Sequence, residues 1–163
     1  VNMTRVEDAY HSDPTAVVEA VFRHIHQARM AGLPICNPAL SVAVLGFQRW
    51  QGDWLGALVA PWTINLLMLP GGGGFCPLSV GQNQTWAFPS GEYEFMGNRE
   101  PGLGAYQFCS LISPVNDFAD QAEVEALAQT ALAGLLTAPA EVQAPPLDRR
   151  AFLRSALGRR ASA

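Results

Sequence analysis

Apolar side chains first recur at helical spacing at Val17, Val18, Val21, Phe22 and Ile25, which places them on one face of a helix. Asp13-Pro14 starts that helix, an N-cap acceptor followed by a proline whose φ suits the first turn. Gly32 and Pro34 stop it, and the period then changes. Leu40 to Phe47 is β-branched and apolar. Trp50-Gln51-Gly52-Asp53-Trp54 then sets a short glycine turn between two aromatics, predicting a hairpin that returns through Leu55–Ala60. Pro61 ends or bends that strand, and Ile64–Leu69 reads as a further buried strand.

Pro70-Gly71-Gly72-Gly73-Gly74 is expected to be a flexible loop, because a glycine run loses too much backbone entropy to sit inside an element. Thr85–Phe88, Pro89-Ser90-Gly91 and Glu92–Met96 predict a second hairpin. In its return strand Tyr93 and Phe95 alternate with Glu92 and Glu94, so one face is buried and the other negatively charged. Pro101-Gly102-Leu103-Gly104 turns the chain into a strand over Ala105–Leu111. Asp117 is read as the cap of a second long helix, whose apolar stripe is Phe118, Ala122, Val124, Leu127, Ala128, Ala131 and Leu135. Ala138 to Leu147 holds three prolines and one charge, the composition of an extended linker. Arg150–Leu157 is helical in pattern but too short to be stable alone.

Helix, antiparallel strands, helix is the order of an α+β fold: a single domain with an antiparallel sheet of about 5–6 strands and two main helices packed on one of its faces. The expected organisation is an N-terminal arm over residues 1–12, a domain over 13–137, a proline-containing linker over 138–147 and a basic tail over 148–163. A chain of 163 residues, 49% of them hydrophobic, suffices for one such core. Trp54 to Gly91 carries no charge, yet its mostly apolar part, Trp54–Leu69, is broken by Pro61 and falls short of the roughly 20 residues a spanning helix needs. Glu7, Asp8, Asp13 and Glu19 would interrupt the apolar core of a secretory signal. A cytoplasmic protein, not a membrane protein, is the expectation.

Charge divides the chain. Residues 1–147 hold five arginines against thirteen acids, whereas residues 148–163 hold five arginines against Asp148 alone, and lysine is absent throughout. An acidic body makes a poor nucleic-acid binder, since that affinity rests on cations neutralising phosphates. A cationic peptide suits it better.

Few of the groups that supply catalysis are in place. His24 and His26 are two residues apart and point in different directions, so they do not form the i, i+4 metal pair, and His11 precedes the helix. The glycine run has no Lys-Ser/Thr after it, which excludes a phosphate loop. Cys36, Cys76 and Cys109 are odd in number, far apart and without a C-x-x-C pair, so neither a disulfide framework nor a zinc or rubredoxin-type iron site is expected. Cys76, beside the glycine loop, is the thiol expected to be exposed. No clear base accompanies any thiol, and no G-x-S-x-G is present. The expectation is a non-enzyme with no metal and no cofactor.

Asn37-Pro38-Ala39-Leu40, Gly46-Phe47, Trp50 to Gly56, Pro61-Trp62, Asn65-Leu66-Leu67-Met68-Leu69-Pro70, Phe88 to Phe95, Gly102 to Gln107 and Cys109 to Pro114 together resemble the HybE/HupJ family of hydrogenase maturation proteins. The likeness covers roughly residues 5 to 136 and lies in the order and spacing of the blocks. It implies a chaperone of nickel–iron hydrogenase assembly that holds the small-subunit precursor, or its twin-arginine signal peptide, before export. The large subunit and other maturation proteins are further partners it allows. Some members carry a fused rubredoxin domain, for which this chain has no cysteine pairs. The resemblance transfers no catalytic residues.

The tail adds a clue of its own: Asp148-Arg149-Arg150-Ala151-Phe152-Leu153-Arg154 resembles the twin-arginine export motif. At this end of the chain it is expected to imitate a client's signal through Arg149, Arg150, Phe152 and Leu153, occupying the chain's own acidic site or joining two copies; a tail that only aids solubility is the other reading. The expected partner-binding residues are Trp50, Trp54 and Trp62, amphipathic aromatics at strands and turns, with Glu92, Glu94 and Glu100 to meet arginines. Two alternatives stay open: a thiol-based redox or oxygen-protective factor, and a scaffold joining other maturation proteins.

Overall fold

A computed structural model describes residues 9–139, so the Arg149, Arg150, Phe152 and Leu153 motif lies outside the described residues. Helix α1 spans Thr15–Ile25 and runs on into a π-helical turn over His26–Met30, closed by Ala31 N–H on the His26 carbonyl. Strands β1 (Ala43–Trp50), β2 (Asp53–Ala60), β3 (Thr63–Leu69), β4 (Asn83–Phe88), β5 (Gly91–Glu100) and β6 (Gly104–Ile112) follow, and helix α2 (Gln121–Leu135) closes the fold. All strand pairs are antiparallel, in the spatial order β1-β2-β3-β6-β5-β4.

The hairpins form where the turn residues placed them. Trp50 pairs with Asp53, leaving Gln51 and Gly52 as a two-residue turn with φ of 48° and 88°, a left-handed pair that matches strand twist. Phe88 pairs with Gly91 across Pro89 and Ser90.

The helices do not share a face. Val124, Leu127, Ala128, Ala131, Leu132 and Leu135 of α2 pack on Leu55, Ala57 and Val59 of β2 and Ile64, Leu66 and Met68 of β3. Val18, Phe22 and Ile25 of α1 pack on the opposite side, with Leu58, Ala60, Leu67, Leu69 and Tyr106. The one-faced arrangement expected from element order is therefore corrected to three layers. The physical reason lies in β2 and β3, every residue of which is buried: strands apolar on both sides must be covered on both sides.

Three local readings also change. Asp120, not Asp117, caps α2, accepting the Ala122 N–H at 2.7 Å. At α1, Pro14 occupies the cap position and Asp13 accepts the Thr15 N–H at 2.9 Å. The glycine loop is pinned: Asp53, with no exposed surface, accepts N–H bonds from Gly71, Gly73 and Phe75. Tyr10, ahead of α1, is docked as well: its N–H and hydroxyl donate to the carbonyls of Pro70 and Leu103, and its own carbonyl accepts from the Trp54 indole.

Candidate functional site

Helix α1 covers only part of its face of the sheet. On β5 the even-numbered residues point to that side, and Glu92, Glu94 and Met96 are exposed there, beside their exposed β4 partners Ala87, Thr85 and Asn83. Their odd-numbered neighbours Tyr93 and Phe95 are buried on the α2 side. The alternation read from the sequence thus produces an open, acidic half-face.

Where this half-face meets α1 it deepens into a cavity of about 360 Å³, within the roughly 300–1,000 Å³ range of ligand pockets. Phe22 and Ile25 from α1, Met30 from the π-helical turn, Trp62 from the β2–β3 turn and Phe108 from β6 make its apolar walls. Thr63 and Asn65 of β3 and Ser110 and Ser113 at the end of β6 add polar groups on one side, and the charged pair stands at its β5 end. Arg29 Nη2 donates to Glu100 Oε2 at 2.9 Å, and Asn98 Nδ2 donates to the Tyr106 hydroxyl at 3.2 Å. The Tyr106 ring meets Phe22 edge-on at 5.9 Å. Burial pushes the Tyr106 phenol up to about 12, with the negative charge of Glu100 adding to it and the Asn98 bond and Arg29 opposing. A neutral donor, a carboxylate and an aromatic floor suit a cationic or hydrogen-bonding side chain flanked by apolar groups.

The six partner-binding candidates separate in space. Trp62 and Glu100 line the cavity, and Glu92 and Glu94 extend the same face. Trp54 is 8% exposed, roofed by the Arg49 guanidinium 4.3 Å from its ring. Trp50 lies on the α2 side, stacked on Phe88 at 5.3 Å. Sequence reasoning missed Arg29, Met30, Asn98 and Phe108, which belong to no motif, and Tyr106, whose Gly102–Gln107 block carried a resemblance and no role.

The thiols are dispersed. Cys109 is buried, Cys76 is exposed, and Cys36 donates to the Met30 carbonyl at 3.1 Å while burial pushes its pKa up. Among the described residues, no three of His, Cys, Asp and Glu gather to hold a metal ion, and no helix is long and apolar enough to cross a membrane.

The model of the family described as [NiFe]-hydrogenase assembly, chaperone, HybE matches residues 13–155. This chain belongs to the HybE family of hydrogenase assembly chaperones. The hydrogenase expression/formation protein HupT of Azotobacter chroococcum mcd 1 is 39% identical over 142 residues, covering 86% of this chain and 94% of HupT. HoxT of Azotobacter vinelandii is 40% identical over 146 residues, with the same coverage. The solution structure of HybE from Escherichia coli superposes with a TM-score of 0.65 at 26% identity, covering 86% of this chain and 89% of that one. The α+β fold of one sheet and two helices is thus a HybE fold, and partners in hydrogenase maturation follow from the family.

Proposed function

We propose that this HybE-family chain acts in the cytoplasm as a non-catalytic chaperone, without metal or cofactor, holding the hydrogenase small-subunit precursor by its twin-arginine signal segment before export. The observation that carries this reading is the juxtaposition of Glu92, Glu94 and Glu100 with the apolar cavity under Trp62 on one uncovered sheet face. A signal segment of that type presents arginines followed by Phe-Leu, which matches acid beside apolar wall. Trp50 and Trp54 stabilise the fold in this reading, and Trp62 makes the contact. The domain proper is taken as 13–137, with the tail from 148 onward as a competing occupant.

Burying one Phe and one Leu contributes roughly 3–6 kcal/mol, set against an association cost of about 4–15 kcal/mol. Moderate affinity is therefore expected, and release to the export machinery follows naturally from it.

The test is binding of a fluorescent small-subunit signal peptide, and of a version with both arginines replaced by lysine, to the full chain and to one ending at Leu147. Saturable binding of the native peptide alone, tightened by the truncation, supports signal recognition with the tail as competitor. If neither protein binds the peptide, the chaperone acts on folded subunit surfaces or on other assembly factors.

A further inference from the structure

This inference rests on the reading just given and assigns one subsite within it. The cavity under Trp62 has a neighbour of about 490 Å³, lined by Ala20, Val21, His24, Ala28 and Pro101. Ile25, Arg29 and Glu100 line both, so the Arg29–Glu100 ion pair is the wall between them. The pair is asymmetric: the Glu100 side chain is 14% exposed and the Arg29 side chain 54%. Glu100 is held by β5, at the end of its pairing with β6, where it meets Gly104. Arg29 stands on the π-helical turn, at the end of a long side chain already half in solvent. Among the described residues no other arginine lines either cavity.

Glu100 is thus the enclosed member of the pair and Arg29 the member half in solvent. We propose that Arg29 is a placeholder in a guanidinium subsite at Glu100, and that an arginine of the bound peptide displaces it. Glu100 stays neutralised before, during and after the exchange, so the groove never holds a bare carboxylate. With Arg29 swung outward the wall opens, and the two cavities join into one trough beside α1. The apolar residues that follow the arginine then rest on Phe22, Met30, Trp62 and Phe108. An arginine fits better than a lysine, because the planar guanidinium is less strongly hydrated and tolerates apolar walls.

The experiment is a titration of a fluorescent peptide, carrying two arginines, one further residue and Phe-Leu, into the full-length protein and the chain ending at Leu147, each as the parent and as its Arg29→Gln and Glu100→Gln variants, so that competition by the tail is separated from the placeholder. Thermal melting first establishes that both variants fold as the parent does. Removing the placeholder is expected to tighten binding about fivefold, the equivalent of an exposed ion pair of about 1 kcal/mol. Glu100→Gln is expected to weaken it about tenfold or more, and a peptide with citrulline for both arginines is expected to be indifferent to either change. If Arg29→Gln leaves affinity unchanged or weakens it while Glu100→Gln weakens it, the placeholder is overturned and the proposed function stands. If no form of the protein binds the peptide, both fall together.

Discussion

Asp53 Oδ1 lies 3.0 Å from the backbone nitrogen of Gly73, joining the first hairpin to a loop twenty residues farther along the chain. The same oxygen takes the Gly71 N–H at 2.9 Å, and Oδ2 takes that of Phe75 at 3.0 Å. Arg49 closes the knot from outside through the carbonyls of Gly52, Gly71 and His11. Asp53→Asn turns an amide N–H toward an N–H and is expected to cost about 2–4 kcal/mol. Gly73→Ala is expected to cost at least as much, since a Cβ there overlaps the Gln51 carbonyl and stands 2.6 Å from Asp53 Oδ2. Urea unfolding midpoints check both; values equal to the parent's would mean the loop is held by something else.

Gln107, with no exposed surface, ties β6 to β4 and to the loop ahead of β4. Its Oε1 accepts from the Trp86 indole at 2.7 Å, and its Nε2 donates to the Cys76 carbonyl at 2.9 Å and to Gln84 Oε1 at 2.7 Å. Gln107→Leu strands the buried Trp86 indole N–H, while Gln84 Oε1 keeps the Cys76 N–H and Cys76 is exposed to water. A loss of about 1–3 kcal/mol, the cost of one unsatisfied buried group, with a shifted tryptophan emission is the expected outcome. An unchanged emission maximum would contradict the indole bond.

Tyr106 sets an alkaline limit. Its phenol ionises at about 12 in the fold against an ordinary 10, so between those values the unfolded chain gives up its proton first. The group's contribution is fully present below about pH 10 and is lost as pH rises toward 12, on the order of 3 kcal/mol in all. Absorbance titration at a phenolate wavelength should show one late step that Tyr106→Phe removes. A late step persisting in that variant would assign it to another tyrosine.

Glu92 and Glu94 stand on the open half-face and act at a distance in the proposed reading. Replacing both by Gln is expected to slow association with an arginine-bearing peptide severalfold at low salt and to have little effect above about 0.5 M, where charges are screened within a few ångströms. Stopped-flow rates at several salt concentrations check this. A defect that persists at high salt would point to direct contact.

Cys36→Ala, Cys76→Ala and Cys109→Ala test the thiol alternative. Undiminished hydrogenase maturation in all three is the expected outcome, since the three free thiols are dispersed and burial pushes the Cys36 pKa up. Failure of maturation in a variant that melts like the parent would revive a redox role.

The residues legible from sequence were those whose neighbours along the chain determine their environment. Glu92 and Glu94 were assigned to an exposed face because Tyr93 and Phe95 alternate with them, and the Gln51-Gly52 turn was placed because a two-residue turn of that type is a local choice. The buried β2 and β3 were legible as continuous apolar runs. The tryptophans were not resolved, since Trp50, Trp54 and Trp62 look alike in a turn-rich sequence and differ only in what roofs them.

The sequence by itself determined the elements, their hairpins, the sign of the exposed β5 face and, through its blocks of likeness, the family. Only the tertiary structure decided that α1 and α2 lie on opposite faces, that Asp53 holds the glycine loop, and that Arg29 reaches Glu100, 71 residues away, in a cavity under Trp62. The physical reason is that secondary structure answers to spacings of two to four residues. Burial, ion pairing and cavities instead depend on which distant surfaces meet, and the connection lengths and handedness that decide this leave no periodic mark in the chain.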